Sequence, residues 1–131
     1  MERPYRARRS CLAVPASSER FIEKARDLPA DEVFLDLEDA VAPAAKARAR
    51  ANAAAAVAGD WGGRVVAVRV NDAATQWAHR DVLDVVSGGG VDAVILPKVT
   101  SPDHVVWLDL LLGQVEREAG LPVGRTGIEA Q

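Results

Sequence analysis

Asp36, Glu38 and Asp39 put three carboxylates within four positions, at the end of the apolar run Val33-Phe34-Leu35 and just ahead of Ala40-Val41. Alternation along a strand places Val33, Leu35 and Leu37 on one face and Asp36 and Glu38 on the other. Two acids on one side of a buried strand repel each other and lose hydration. A metal, an arginine or a cationic ligand opposite them would offset that cost. The plainer alternative is a strand end whose acids reach water or cap the next helix. Arg69 is the sharpest cation in the chain. It follows Val65-Val66-Ala67-Val68 directly and shares a face with Val65 and Ala67. A guanidinium at a strand end can take a carboxylate in bidentate fashion, whether from a ligand or from Asp36 or Glu38. Lys98, after Leu96-Pro97, suits a phosphate or carboxylate partner, or is a solvated strand end. Arg20 and Lys24 lie one turn apart near the start of the first helix, placed to meet phosphate or simply solvated.

Other residues carry less chemistry. His79 and His104 each lack a second ligand at a metal-binding spacing. Gly88-Gly89-Gly90 precedes a strand and lacks the Lys-Ser/Thr ending of a phosphate loop. Trp61, Trp77 and Trp107 are scattered, as packing residues are. The single cysteine, Cys11, rules out an internal disulfide and a Cys-rich zinc site, and its apolar surroundings predict a small buried hydrophobe.

The elements that must position these groups alternate strand and helix. Strands are predicted near residues 11–14, 33–37, 65–70 and 93–96, and residues 127–131 begin a fifth. Ser17 or Ser18 caps a first helix carrying Phe21, Ile22, Ala25 and Leu28 at helical spacing, ended by Pro29. Pro43 opens an Ala-rich second helix with Lys46, Arg48 and Arg50 on its polar side. A third runs from about Trp77 to Val86. Ser101-Pro102-Asp103 starts a fourth, with Val105, Leu108, Leu112 and Val115 on one face and a break at Gly120-Leu121-Pro122. The Val-rich third strand reads as buried on both faces, as in a parallel sheet. Four β-α units plus a further strand predict one parallel α/β domain over residues 1–131. An eight-stranded barrel takes about 250 residues, so the expectation is either a small open sheet or an incomplete half-barrel. In both architectures ligands bind at the carboxyl ends of the strands, where the acids, Arg69, Asn71 and Lys98 collect.

Composition sets the boundaries. At 131 residues with 49% hydrophobic content the chain is globular, and its formal net charge of −3 gives no reason to expect nucleic acid or an anionic membrane as partner. No apolar run approaches the roughly 20 residues of a membrane span. The basic segment Met1 to Arg9 has no apolar stretch behind it and is not a secretory signal. These features predict a cytoplasmic protein.

Ordered motifs resemble those of the HpcH/HpaI aldolase/citrate lyase β-subunit family. They are Arg9-Ser10-Cys11-Leu12-Ala13-Val14-Pro15, Ile22-Glu23-Lys24-Ala25, Leu35-Asp36-Leu37-Glu38-Asp39-Ala40-Val41-Ala42-Pro43 with Lys46 and Arg50, Val68-Arg69-Val70-Asn71 and Leu96-Pro97-Lys98-Val99. The similarity runs from about Arg8 to Gln131 and looks closest to the CoA ester lyases. It implies a TIM-type (β/α)8 barrel, present here as an incomplete half-barrel of about four β-α units. It also implies a Mg²⁺-dependent carbon–carbon lyase acting on an acyl-CoA such as malyl-CoA, citramalyl-CoA or citryl-CoA. On the same resemblance Arg69, with Asp36 and Lys98, would bind substrate, Arg20 and Lys24 would contact CoA, and Glu38 and Asp39 would act near the metal. The family's two direct metal carboxylates lie at the ends of strands five and six, the first in an Ile-Glu pair expected after Gln131. Glu129 shares that strand but is not the matching residue, so no metal ligand is assigned here. Ala16 stands where the family usually has Gly. Relatives form trimers or larger assemblies, which implies a homo-oligomer for the full-length form. The 131-residue chain alone is expected to be inactive. Two alternatives stand beside this one: a non-catalytic module binding CoA or a partner, and a generic open sheet such as a flavodoxin-like domain, for which Pro15-Ala16-Ser17-Ser18 makes a poor phosphate loop.

Overall fold

The computed structural model describes residues 4–131; Met1, Glu2 and Arg3 of the basic N-terminal segment lie outside the described residues. Strands β1 (Cys11–Pro15), β2 (Glu32–Asp36), β3 (Val65–Arg69), β4 (Ala93–Leu96) and β5 (Gly127–Ala130) form one parallel sheet in the order β1-β2-β3-β4-β5. Helices α1 (Glu19–Arg26), α2 (Lys46–Val57, entered through a 3-10 turn at Pro43–Ala45), α3 (Ala78–Val86) and α4 (Pro102–Glu118) connect them. The predicted strands hold to within a residue. β2 and β3 end one position early, but Leu37 N–H still donates to the Arg69 carbonyl at 2.9 Å and Val70 N–H to that of Ile95 at 3.1 Å.

Period-two alternation sorts the strands' side chains. Val14, Val33, Leu35, Val66, Val68, Val94 and Leu96 face the helices and join Ile22, Ala49, Ala53, Val82, Val85, Leu108 and Leu112 in one core. Each fully buried Val or Leu of this set contributes about 1.5–3 kcal/mol. The opposite face carries Phe34, Ala67, Ala93 and Ile95, a smaller cluster in which alanines leave space inside the curve of the sheet. Asp36 and Arg69 continue that inner face at its carboxyl end, cross-strand neighbours in the β2–β3 register.

Local chemistry sets the helix ends. Ser18 caps α1 by accepting the Phe21 N–H, and Ser101 caps α4 by accepting that of Asp103. α2 lacks a side-chain cap; it packs through Ala49, Ala53 and Ala56, whose small side chains let it lie close to the sheet. Close packing also explains Gly90, where a Cβ would overlap the Val57 carbonyl oxygen. Among the described residues no helix is long and apolar enough to cross a membrane.

Two expectations about single residues are corrected. Cys11 is exposed, because it opens the edge strand β1. Partial burial of its sulfur, and then the Glu32 charge, nevertheless push its thiol up to about 11. Lys46 is not on a polar helix face but buried, and Arg50 is drawn in to an ion pair with Asp81 at 2.8 Å.

Candidate functional site

β2 and β3 deliver the centre of the site. Asp36 and Arg69, opposed in the register, form a two-pronged pair: Nε donates to Oδ1 and Nη2 to Oδ2, both at 2.8 Å. The same carboxylate accepts the backbone N–H of Glu38 at 2.9 Å and of Ala40 at 3.0 Å. Burial is the largest single influence on the Asp36 carboxyl and pushes it up. The Arg69 hydrogen bonds, the two backbone N–H groups and the Arg69 charge together outweigh it, so the group ionises below the usual carboxylate range. Asp36 in turn raises the Arg69 guanidinium, despite its partial burial. Arg69 also lies 5.3 Å from the Phe34 ring, and its Nη1 donates to the Gln131 side-chain oxygen at 3.0 Å. That third prong is the one a ligand carboxylate can take over without disturbing Asp36.

The loop after β2 supplies the acids beside this pair. Lys98 pairs closely with Glu38 and reaches Asp39 at 3.4 Å. The Glu38 hydrogen bond is the main cause of the raised Lys98 ammonium. Lys98 has a left-handed backbone, φ 55°, a rare conformation for a side chain longer than Asn or Gly. This twist follows Pro97 where the chain leaves β4 and turns Lys98 back toward the loop of its neighbour two strands away. Asp36, Glu38, Asp39, Arg69 and Lys98 thus share one rim at the carboxyl ends of the strands.

Arg20 and Lys24 are not tied to that rim. Both are exposed on α1, and their side chains make no hydrogen bond or ion pair among the described residues. Asn71, placed by the sequence at the end of β3, and Asp81, which the sequence did not single out, form a buried support under the β3–α3 loop. Asp81 accepts from the Asn71 backbone at 3.0 Å and its side-chain amide at 2.7 Å, and binds Arg50 on its other oxygen. Gln131 was also missed, and the buried Lys46 was placed on a polar helix face. An isolated Gln or Lys carries no spacing signal, although Lys46 lies within the stretch quoted above. Ala16 is accommodated without strain: it is fully buried, has no positive φ, and its N–H donates to the Asp36 carbonyl at 3.0 Å.

The acids do not amount to a metal centre. Asp36 is saturated by Arg69 and two backbone donors, and Glu38 is held by Lys98. Among the described residues no group of three or more His, Cys, Asp or Glu side chains is placed to hold an ion. A cleft of about 700 Å³ lies elsewhere, lined by Arg6, Arg8, Arg9, Asp92 and Arg125 with Pro4 and Tyr5. Asp92, which precedes β4, puts it at the amino ends of the strands.

A sequential parallel sheet, with helices on one face and charged groups collected at its carboxyl ends, is part of a (β/α)8 barrel. The chain belongs to the HpcH/HpaI aldolase/citrate lyase family, whose model matches residues 9–131. It is 40% identical over 120 residues to the L-malyl-CoA/beta-methylmalyl-CoA lyase of Cereibacter sphaeroides (strain ATCC 17029), a match covering 89% of this chain and 38% of that protein. It is 42% identical over 98 residues to the (3S)-malyl-CoA thioesterase of Cereibacter sphaeroides (strain ATCC 17025), covering 74% of this chain and 34% of that protein. The chain therefore spans well under half the length of the curated relatives it matches. Among solved structures, CitE of Mycobacterium tuberculosis with magnesium, acetoacetate and coenzyme A superposes with a TM-score of 0.62 at 28% identity, over 95% of this chain and 49% of that one. The Haloferax volcanii malate synthase magnesium/glyoxylate complex shares the fold, with a TM-score of 0.81 at 18% identity over 92% of this chain and 41% of that one.

Proposed function

We propose that the full-length protein carrying this chain is a CoA ester lyase. It would cleave a short hydroxyacyl-CoA of the malyl-CoA, citramalyl-CoA or citryl-CoA kind into acetyl-CoA or a similar thioester and a keto acid. The observation that carries this is the Asp36–Arg69 pair set beside Glu38, Asp39 and Lys98 at the carboxyl ends of a barrel-type sheet, in a chain of this family. Arg69 Nη1, free to exchange Gln131 for a ligand, binds the carboxylate of the acid fragment. As the carbon–carbon bond breaks, its electron pair passes to the thioester fragment as an enolate, which takes up a proton at carbon to give acetyl-CoA, while the hydroxyl oxygen gives up its proton and its carbon becomes the carbonyl of the keto acid. Asp36 keeps the planar guanidinium oriented and in place while charge redistributes. Glu38 and Asp39, restrained by Lys98, act on the reacting end, and Arg20 and Lys24 offer charge to the CoA phosphates.

Magnesium accompanies CitE in the solved complex. We assign its direct ligands in this protein to residues after Gln131, since those described do not form a set. The metal would supply electrostatic stabilisation of developing oxyanion charge. The domain 1–131 is then the N-terminal half of a barrel, and the full-length form is a cytoplasmic homo-oligomer.

The test is a thioester-cleavage assay on the full-length protein and on the 131-residue chain, each with and without EDTA. Metal-dependent turnover by the full-length protein alone is expected. Turnover by the short chain overturns the placing of the metal ligands after Gln131, and EDTA-insensitive turnover by the full-length protein overturns the metal-dependent mechanism. The similarity to a thioesterase supports hydrolysis as a second reading. The products separate the two: hydrolysis releases free CoA thiol, whereas lyase cleavage leaves the thioester intact on the shorter acyl group.

A further inference from the structure

Lys46 is a buried cation with no carboxylate to balance it. Only 6% of its surface is exposed, and it makes no ion pair among the described residues. It sits in the first turn of α2, at the positive end of the helix dipole, where a cation is disfavoured. Burying an ammonium there carries a further desolvation penalty. What offsets both costs is what the ammonium holds. Its Nζ donates to the Leu37 carbonyl at 2.9 Å and to the Glu38 carbonyl at 3.1 Å. Its remaining side lies over the Trp77 ring, 5.1 Å from the centroid.

These bonds complete a set around one residue. The Glu38 N–H is held by the Asp36 carboxylate, and the Glu38 carbonyl by Lys46 and by the Val41 N–H at 3.1 Å. Groups of opposite charge therefore grip the same residue from its two backbone sides, the anion tied to Arg69 and the cation to Trp77. With its backbone fixed at both ends, the Glu38 side chain has little freedom except along its own rotamers, and it points to Lys98.

We infer that Lys46 is a positioning residue for Glu38, with Trp77 as the seat of its charge, fixing where the Glu38 carboxylate stands on the rim. This rests on the lyase reading of the rim. The test is a double-mutant cycle in the full-length protein with a malyl-type CoA thioester, scoring kcat and KM separately. Lys46→Met keeps the stem and removes the charge; Glu38→Gln removes the group being positioned. Lys46→Met should lower kcat about tenfold with KM nearly unchanged, and should lower it less than about twofold once Glu38 is Gln. An equal fall in both backgrounds, as a general structural role would give, overturns the inference, and so does no fall in the parent. Glu38→Gln without effect on kcat instead overturns the lyase reading of the rim, which keeps the two failures apart. If Lys46→Met does not fold, Trp77→Leu replaces it in the cycle, leaving both carbonyl bonds but no ring beneath the ammonium. A fall in kcat of about threefold, abolished by Glu38→Gln, supports the inference, and a fall that persists or none at all overturns it.

Discussion

The two ends of the inner face treat buried carboxylates in opposite ways. At the carboxyl end, Asp36 is gripped by both prongs of Arg69 and by two backbone N–H groups, and it ionises more readily than a free carboxylate. At the amino end, Glu32 is equally buried. Its nearest cation is Arg8, whose Nε lies 3.7 Å away and which also pairs closely with Glu129. Glu32 Oε1 has no hydrogen-bond partner among the described residues. Burial first, and then the neighbouring Glu129 charge, push Glu32 up to about 7, against a smaller opposing pull from Arg8. Burial alone therefore does not decide the state of an acid. The count and geometry of its donors do.

Arg69→Ala should give the largest effect. It strands a buried carboxylate and removes the proposed substrate anchor together. We expect a loss of roughly 2–4 kcal/mol in denaturant unfolding, and a fall in kcat/KM of about a hundredfold or more in the full-length protein. A variant of unchanged stability would show that Asp36 does not depend on its partner.

Asp36→Asn sharpens the same contrast through pH. A lowered native ionisation means that the Asp36 contribution is complete above the ordinary aspartate value of about 3.9 and is lost as pH falls through and below that range. The variant should be less stable than the parent by about 2 kcal/mol at pH 7, and the difference should shrink as pH approaches about 3. Urea midpoints measured across that range check it.

Glu32→Gln should act in the other direction. A raised native ionisation favours the protonated form, so the parent's stability is highest below the ordinary glutamate value and declines as pH rises toward about 7. The neutral variant should gain about 1–2 kcal/mol at pH 8 and almost nothing at pH 4.5. A loss of stability at pH 8 would mean that Arg8 holds Glu32 as firmly as Arg69 holds Asp36.

Lys98→Met should have the smallest effect on stability, too small to move a urea midpoint, because the ammonium is half-exposed and its pairs are screened by water. Its effect on KM for the acyl-CoA should nonetheless be several-fold if Lys98 faces the ligand. Equal and negligible effects on both would reduce Lys98 to a solvated strand end.

Much of this molecule follows from sequence pattern alone. Val-rich runs with period-two alternation, separated by capped helices, predict a parallel sheet in sequential order. The same alternation puts Asp36 and Arg69 on one face and Val33 and Leu35 on the other, because side-chain direction on a strand is a local property. Collection of the acids, Arg69 and Lys98 at one rim follows from the rule that parallel strands present their carboxyl ends together. Tertiary structure decided what each charge meets. Whether Arg69 takes Asp36 or Glu38 depends on register between strands 33 residues apart in sequence. Whether Lys46 is solvated or buried depends on the loop folding back over the start of α2, and Cys11 is exposed because β1 stands at the sheet's edge. Glu32 and Asp36 bound the same short strand and are both acids, and no local signal separates them. Only the surrounding donors, brought in from distant parts of the chain, make one ionise easily and the other resist.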